Sequence, residues 1–245
     1  MKEFNGIIGN CPIRISIGNM IKEKAGAYLV PHFSAGVNYG GIAGAVARFG
    51  AQLGVEEYEE FVNKNGPQPF GQVKITKSYG GNAEFLLHAV TVGSGAATEF
   101  DVARTATQDS LKLCEKNGIA TLIVPALGTG IVGELADQQS AKAMLSAIDR
   151  YSKAGGKAVD ISFVFLDREP EEAEALFAAF TKVLKDKSYE NAPSEVGRRK
   201  IDVGRWAQGM QYEEDENTRH AQNAVPLQAK RDIPVKTIKL RKPGL

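Results

Sequence analysis

Two glycine clusters contain the residues of this chain best suited to gripping an anion. The first is Tyr39-Gly40-Gly41-Ile42-Ala43-Gly44-Ala45-Val46, and the second is Pro125-Ala126-Leu127-Gly128-Thr129-Gly130-Ile131-Val132-Gly133. Where glycine removes a side chain, main-chain N–H groups can approach a ligand closely. A helix that begins just after such a run adds unpaired amide donors and positive dipole. Neither cluster is a dinucleotide fingerprint, because no G-x-G-x-x-G opens a helix with an acidic residue about 20 positions on. Nor do a lysine and a hydroxyl follow the glycines, as a nucleoside-triphosphate loop requires. Either cluster alone is an ordinary connector. Together, with Ile42, Leu127, Ile131 and Val132 among the glycines, they suit a diphosphate held from two sides against an apolar wall.

Polar side chains beside the first cluster are the candidates for chemistry: His32, Ser34, Asn38 and Tyr39. His32 interrupts the apolar run Ala27 to Phe33, so it is either a satisfied core histidine or a proton-transfer group facing the ligand, since imidazole titrates near neutrality. Asn38 is either a plain loop residue or a source of an amide for the ligand. His88 sits in a second apolar run and reads as structural. The three histidines, His32, His88 and His220, are scattered, and no His, Cys or carboxylate cluster has metal-ligand spacing, so neither metal nor cofactor is expected. Cys11 and Cys114 are the only cysteines; they read as buried thiols of a reducing cytoplasm rather than a disulfide framework.

The elements that position these residues follow from hydrophobic periodicity. Strands are expected at Pro12 to Ile17, Ala27 to Phe33, Gln72 to Tyr79, Glu84 to Val92, Ile119 to Ala126 and Ala158 to Leu166. Gly80-Gly81-Asn82 reads as the turn of a hairpin joining the third and fourth of these. Helical spacing covers Ile42 to Phe49 (stopped by Gly50), Ala51 to Val62, Asp101 to Asn117, Ala136 to Ala154 and Glu171 to Lys185. Strands alternating with helices in this way imply a three-layer α/β/α fold around a mixed central sheet. Both glycine clusters then fall after strands, where ligands of α/β sheets bind.

The 245 residues comprise 43% hydrophobic and 24% charged residues, the proportions of an ordinary globular protein. A net charge of +1 gives no global field for nucleic acid or an anionic membrane. No apolar run approaches the ~18 residues of a membrane span, and residues 1–10 lack a signal-peptide layout. Composition shifts near residue 186. The segment 186–245 carries 12 Lys or Arg against 9 Asp or Glu, a net of +3, and is punctuated by Pro193, Pro226, Pro234 and Pro243. It is expected to be an irregular C-terminal extension to a domain spanning 1–185, either a solvated tail or an arm that contacts a protein or RNA partner.

Several of these stretches resemble the macrodomain family. Gly18-Asn19-Met20-Ile21, Tyr28-Leu29-Val30 and the first glycine cluster are similar to its opening, and Leu87-His88-Ala89-Val90-Thr91-Val92-Gly93 to its strand after the hairpin. Pro125 through Gly133 resembles its second binding loop, and the likeness spans roughly residues 10 to 185. The resemblance implies a protein that binds ADP-ribose, or an ADP-ribosylated macromolecule, and either hydrolyses an ADP-ribosyl linkage or ADP-ribose 1″-phosphate or only binds. By position, Asn19 stands where the family has an aspartate that accepts from the adenine amino group, with Met20 beside the base. Gly40, Gly41, Ile42 and Ala43 fall along the distal ribose and one phosphate; Gly128, Thr129, Gly130, Ile131 and Val132 along the other side; Leu166 and Asp167 against adenine. Two positions depart from the family pattern: Ser34 stands in place of an asparagine that orients the distal ribose, and Ala43 in place of an aspartate common in de-ADP-ribosylating members. The strand around Lys77 is similar to one that bears a nucleophilic lysine in a divergent branch, but the partner aspartate is replaced by Val132, so Lys77 reads as a surface lysine. The alternative to ligand binding is a degenerate scaffold that acts through its C-terminal extension.

Overall fold

The computed structural model describes residues 2–37, 39, 41–93, 96–130, 135–166 and 170–192. Seven strands form one sheet in the order β1-β2-β7-β6-β3-β5-β4. They are β1 Glu3–Ile8, β2 Cys11–Gly18, β3 Ala25–Phe33, β4 Val73–Lys77, β5 Ala83–Val92, β6 Thr121–Val124 and β7 Asp160–Leu166. The five central strands, β2, β7, β6, β3 and β5, run parallel, and β1 and β4 close the two edges antiparallel. The sheet is therefore mixed, as the alternation of strand and helix patterns implied.

Alternate side chains of the central strands sort into two cores. Ile13, Leu29, Leu122, Phe163 and Leu87 point to the face covered by α3 Ala96–Asn117, α4 Asp137–Lys153 and α5 Pro170–Lys185. Tyr28, Val30, Leu86, Ile123 and Val164 point to the other face, where Val46 of α1 Ile42–Val46 and Val55 of α2 Gln52–Asn65 meet them. Helices on both sides of one sheet make the three layers. Both cysteines are free and buried. Among the described residues no helix is long and apolar enough to cross a membrane, and no His/Cys/Asp/Glu group could hold a metal ion.

One element differs from the periodicity reading. Strand β1 was not expected; Glu3–Ile8 pairs with β2 through a tight turn at Gly9 and Asn10, with Gly9 at φ +56. The first helical stretch ends where the spacing predicts, in a kink at Phe49 (φ -93, ψ 22) and Gly50 (φ 108), before α2 begins. Gly50 must be glycine on two counts: its φ lies in the left-handed region, and a Cβ there would sit 3.0 Å from the Gly81 amide of the β4–β5 turn. Beyond Lys185 the chain turns back and buries Tyr189 in the helical core, so packing continues past the composition change. The remainder of the expected extension, residues 193–245, lies outside the described residues.

Candidate functional site

Because β2, β7, β6 and β3 are parallel neighbours, their carboxyl ends share one edge of the sheet. That edge is where α/β folds receive ligands. Asn19 and Met20 follow β2, Leu166 closes β7, the second glycine cluster follows β6, and the first follows β3 by way of Ser34. Strand pairing sets Gly18 beside Leu166, and Tyr28 of β3 beside Ile123 of β6. The two glycine loops therefore rise from adjacent strands on the same side of the molecule.

The second loop is anchored from beneath by α4. The Leu127 amide donates to Met144 Sδ at 3.4 Å, and its carbonyl accepts from Ser140 Oγ at 2.7 Å. Leu127 is a buried core residue, which corrects its expected place in a ligand-facing wall: its side chain holds the loop down instead. Gly128 (φ +79) makes the turn, with Leu135 Cδ1 2.7 Å from where a Cβ would lie, and its carbonyl accepts from the Leu135 amide at 2.9 Å. Thr129 Oγ1 reaches the Ala126 carbonyl at 3.4 Å. Gly130 is exposed, with nothing within 4 Å of a hypothetical Cβ. Gly36 of the first loop is open in the same way. Ile131 and Val132 lie outside the described residues, as do Asn38, Gly40 and Asp167.

The first loop is hooked to α2 and to the segment that follows it. Ser34 Oγ donates to the Gln68 carbonyl at 2.6 Å, the Gln68 amide donates back to the Ser34 carbonyl at 2.8 Å, and Tyr39 Oη donates to Glu59 at 2.8 Å. Gly41 precedes α1 as an exposed residue, Ile42 is half-buried and Ala43 is buried under the helix. Gly44 serves packing: a Cβ there would lie 1.8 Å from the Tyr39 carbonyl oxygen. At the β2 end, Asn19 Oδ1 caps the following short turn by accepting from the Ile21 amide at 3.3 Å. Met20 is buried in the core on the α1/α2 face, and Leu166 stands half-exposed.

Two of the candidates for chemistry, Ser34 and His32, are placed inward, whereas Tyr39 is exposed. Ser34 is buried and spends its hydroxyl on Gln68. His32 is buried beneath α2, with Nε2 2.9 Å from His88 Nδ1; His88 Nε2 lies 2.8 Å from Thr76 Oγ1, which donates to the Gly54 carbonyl at 3.1 Å. Tyr58 of α2 stacks on His88, with ring centroids 4.5 Å apart. Burial in this apolar setting drives the His32 pKa down to about 3 and that of His88 well below its ordinary value, with His32 itself a second cause for His88. Both imidazoles are thus neutral core groups, which corrects the proton-transfer alternative for His32. Lys77 pairs with Phe85 near the start of β5. That is seven residues from Val92, so it lies about 23 Å along the strand from the loop edge and carries no chemistry there.

Sequence reasoning missed the anchors Met144, Ser140, Gln68 and Glu59, which are remote in sequence and ordinary in type. It also missed Glu99, a buried carboxylate in the first turn of α3, next after the carboxyl end of β5. The His32–His88 pair had a signal: both residues lie on runs that alternate between the sheet faces. Among the described residues of the two loops, 34–37, 39, 41 and 125–130, there is no Asp, Glu, Lys, Arg or His. What the loops offer chemically is main-chain donors and small side chains.

The Macro domain family model matches residues 31–144, which takes in both loops. The chain belongs to the macro domain family. An uncharacterized protein of Pyrobaculum aerophilum is 32% identical over 126 residues, 51% of this chain and 69% of that protein. A macro domain-containing protein of Caldanaerobacter subterraneus subsp. tengcongensis is 27% identical over 162 residues, 65% of this chain and 91% of its own. Among solved structures, a variant of the Oceanobacillus iheyensis macrodomain superposes with a TM-score of 0.66 at 19% identity, covering 78% of this chain and 95% of that one. Another variant of the same protein, solved with ADPR, gives 0.64 at 18% identity over 76% of this macro domain chain and 99% of its own. The Trypanosoma brucei macrodomain in complex with ADP-ribose gives 0.55 at 21% identity, with 68% of each chain covered.

Proposed function

We propose that this macro domain binds ADP-ribose or a close derivative along the shared carboxyl edge of β2, β7, β6 and β3. The observation that carries the reading is that the two glycine loops rise from adjacent parallel strands, with Gly130 opening onto empty space. Main-chain amides of the two loops grip the diphosphate from both sides; neutral donors in a site of low polarity suit a polyanion without bringing a competing fixed charge. The half-exposed Leu166 beside Gly18 supplies an apolar platform for the base, and Asn19 a polar contact to its edge. Structures of relatives with ADP-ribose or ADP bound support this choice of ligand.

Binding is the primary activity in this reading. Hydrolysis of an ADP-ribosyl bond needs a group that orients water and takes a proton. His32 and Ser34 are engaged inside the fold, and Ala43 has no polar atom to offer. Any turnover of ADP-ribose 1″-phosphate or an ADP-ribosyl linkage then falls to Asn38 and to water positioned by main-chain donors, and is slow.

Isothermal titration of the full chain with ADP-ribose tests the reading. Binding is expected at micromolar ligand, to be retained by Gly130→Ala and lost in Gly130→Glu, whose carboxylate occupies and repels the diphosphate. Absence of heat at high micromolar ADP-ribose, or undiminished affinity in Gly130→Glu, defeats it.

A further inference from the structure

The edge of the sheet opposite the glycine loops carries an apolar patch for which ligand binding gives no reason. Phe49, Leu53 and Tyr79 are 54%, 61% and 58% exposed, half of the six large hydrophobic residues exposed among the described residues. They are contiguous. Leu53 lies one turn beyond Phe49 across the break at Gly50; the break packs on Gly80 and Gly81 next to Tyr79; and Tyr79 Oη donates to Glu57, one turn further along α2, at 2.8 Å. Such side chains amount to roughly 300 Å² of apolar surface, the size at which a patch on a monomer is often functional.

The backbone is unusual at both points that hold the patch out. Tyr79 has φ 59, a left-handed conformation that an aromatic residue rarely adopts, and the kink at Phe49 and Gly50 (φ 108) leaves Phe49 facing water. Were the patch only a surface accident, polar residues at 49, 53 and 79 would serve the same backbone better. Its surroundings are acidic. α2 presents the exposed Glu57 and Glu60 and the half-buried Glu56 and Glu59 against Lys64. Of the cations beside the patch, Lys77 is exposed on β4 and Arg48 folds back along its own helix to within 3.1 Å of the Gly44 Cβ position. An apolar centre with an acidic flank is complementary to a segment of opposite character.

We propose that this patch docks a peptide segment in which Lys or Arg alternates with aliphatic side chains. The aliphatic groups cover Phe49, Leu53 and Tyr79, and the cations reach Glu57 and Glu60. Docking here leaves the carboxyl edge of the sheet open, so the protein can hold its nucleotide and its partner at once.

The test is fluorescence anisotropy with the full chain and a fluorescein-labelled octapeptide of alternating lysine and isoleucine. A matched glutamate–isoleucine peptide serves as control. Saturable binding of the lysine peptide is expected, weakened roughly tenfold by Leu53→Glu and by Phe49→Ser, the usual scale for losing an interface anchor. Glu57→Lys with Glu60→Lys, or raising salt from about 50 to about 500 mM, weakens it as well. The exposed positions of Leu53 and Phe49 let these variants fold, which an unchanged melting midpoint verifies. No binding, equal binding by the Leu53→Glu chain, or equal binding of the glutamate peptide overturns the proposal. So does sedimentation of the wild type as a dimer that Leu53→Glu dissolves, since the occupant is then a second copy. ADP-ribose titration of the same variants reports on the other edge of the sheet independently.

Discussion

Acidification tests the buried histidine pair most directly. In the unfolded chain an imidazole binds a proton below about pH 6.5. In the fold His32 does so only near 3, because the ring is enclosed and its Nδ1 has no hydrogen-bond partner. Between those values the unfolded state holds a proton that the native state refuses. The contribution of His32 to stability is therefore complete above the unfolded pKa and is lost as pH falls, at up to about 1.4 kcal/mol per pH unit. From neutral pH to about pH 5 the loss from His32 alone is ~2 kcal/mol. His88, shifted in the same direction by burial and by its neighbour, steepens the slope. A small domain has only about 5–15 kcal/mol in hand, so the effect is large enough to read. The assay is urea unfolding followed by circular dichroism at several pH values between about 7.5 and 5, on the wild type and on a His32→Leu/His88→Leu double variant, which removes both partners of the pair at once. The wild type is expected to lose at least ~2 kcal/mol over that range and the double variant much less. A wild-type stability that stays level to pH 5, or an equal slope in the double variant, refutes the assignment of buried neutral imidazoles.

Other expectations follow from single contacts. Gly44→Ala places a methyl 1.8 Å from the Tyr39 carbonyl oxygen, and is expected to cost about 1–3 kcal/mol in urea unfolding and to displace the first loop, weakening ADP-ribose in the same preparation. Ser34→Ala leaves the buried Gln68 carbonyl without its hydroxyl donor; the expected result is about 1–2 kcal/mol lower stability with nucleotide affinity changed by less than about twofold, and a collapse of affinity at intact stability would return Ser34 to the ligand site. Asn19→Asp keeps an oxygen to cap the Ile21 amide and adds a charged acceptor at the β2 end, so titration calorimetry is expected to find ADP-ribose bound about three- to tenfold more tightly, in line with a charge-assisted hydrogen bond.

Much of the layout was legible because it depends on local patterns. The runs Ala27 to Phe33, Glu84 to Val92 and Ala158 to Leu166 are apolar over strand length, and the helices on either side show their stripe, so a layered α/β fold followed. β1 escaped because an edge strand buries one side only: Glu3, Asn5 and Ile7 are exposed, and the pattern resembles a polar terminus. The Gly9-Asn10 turn was the available signal, and the structure shows how well it is held, with Asn10 bonded to Ser152 and to the Gly156 carbonyl.

For the candidate site, the chain's own order and composition determined that two glycine runs follow strands and that the Ser34 and Ala43 positions lack the family's polar groups. Side-chain type and position along the chain are enough for that. Which glycine faces space and which faces a carbonyl was decided only by tertiary contact. Gly44 and Gly130 look alike in sequence, yet one is crowded by Tyr39 and the other has nothing near it. The same holds for His32 and Ser34. Each is a reactive group by type, but three-dimensional packing gives one to His88 and the other to Gln68, because a buried polar atom must find its partner wherever the fold brings one within reach.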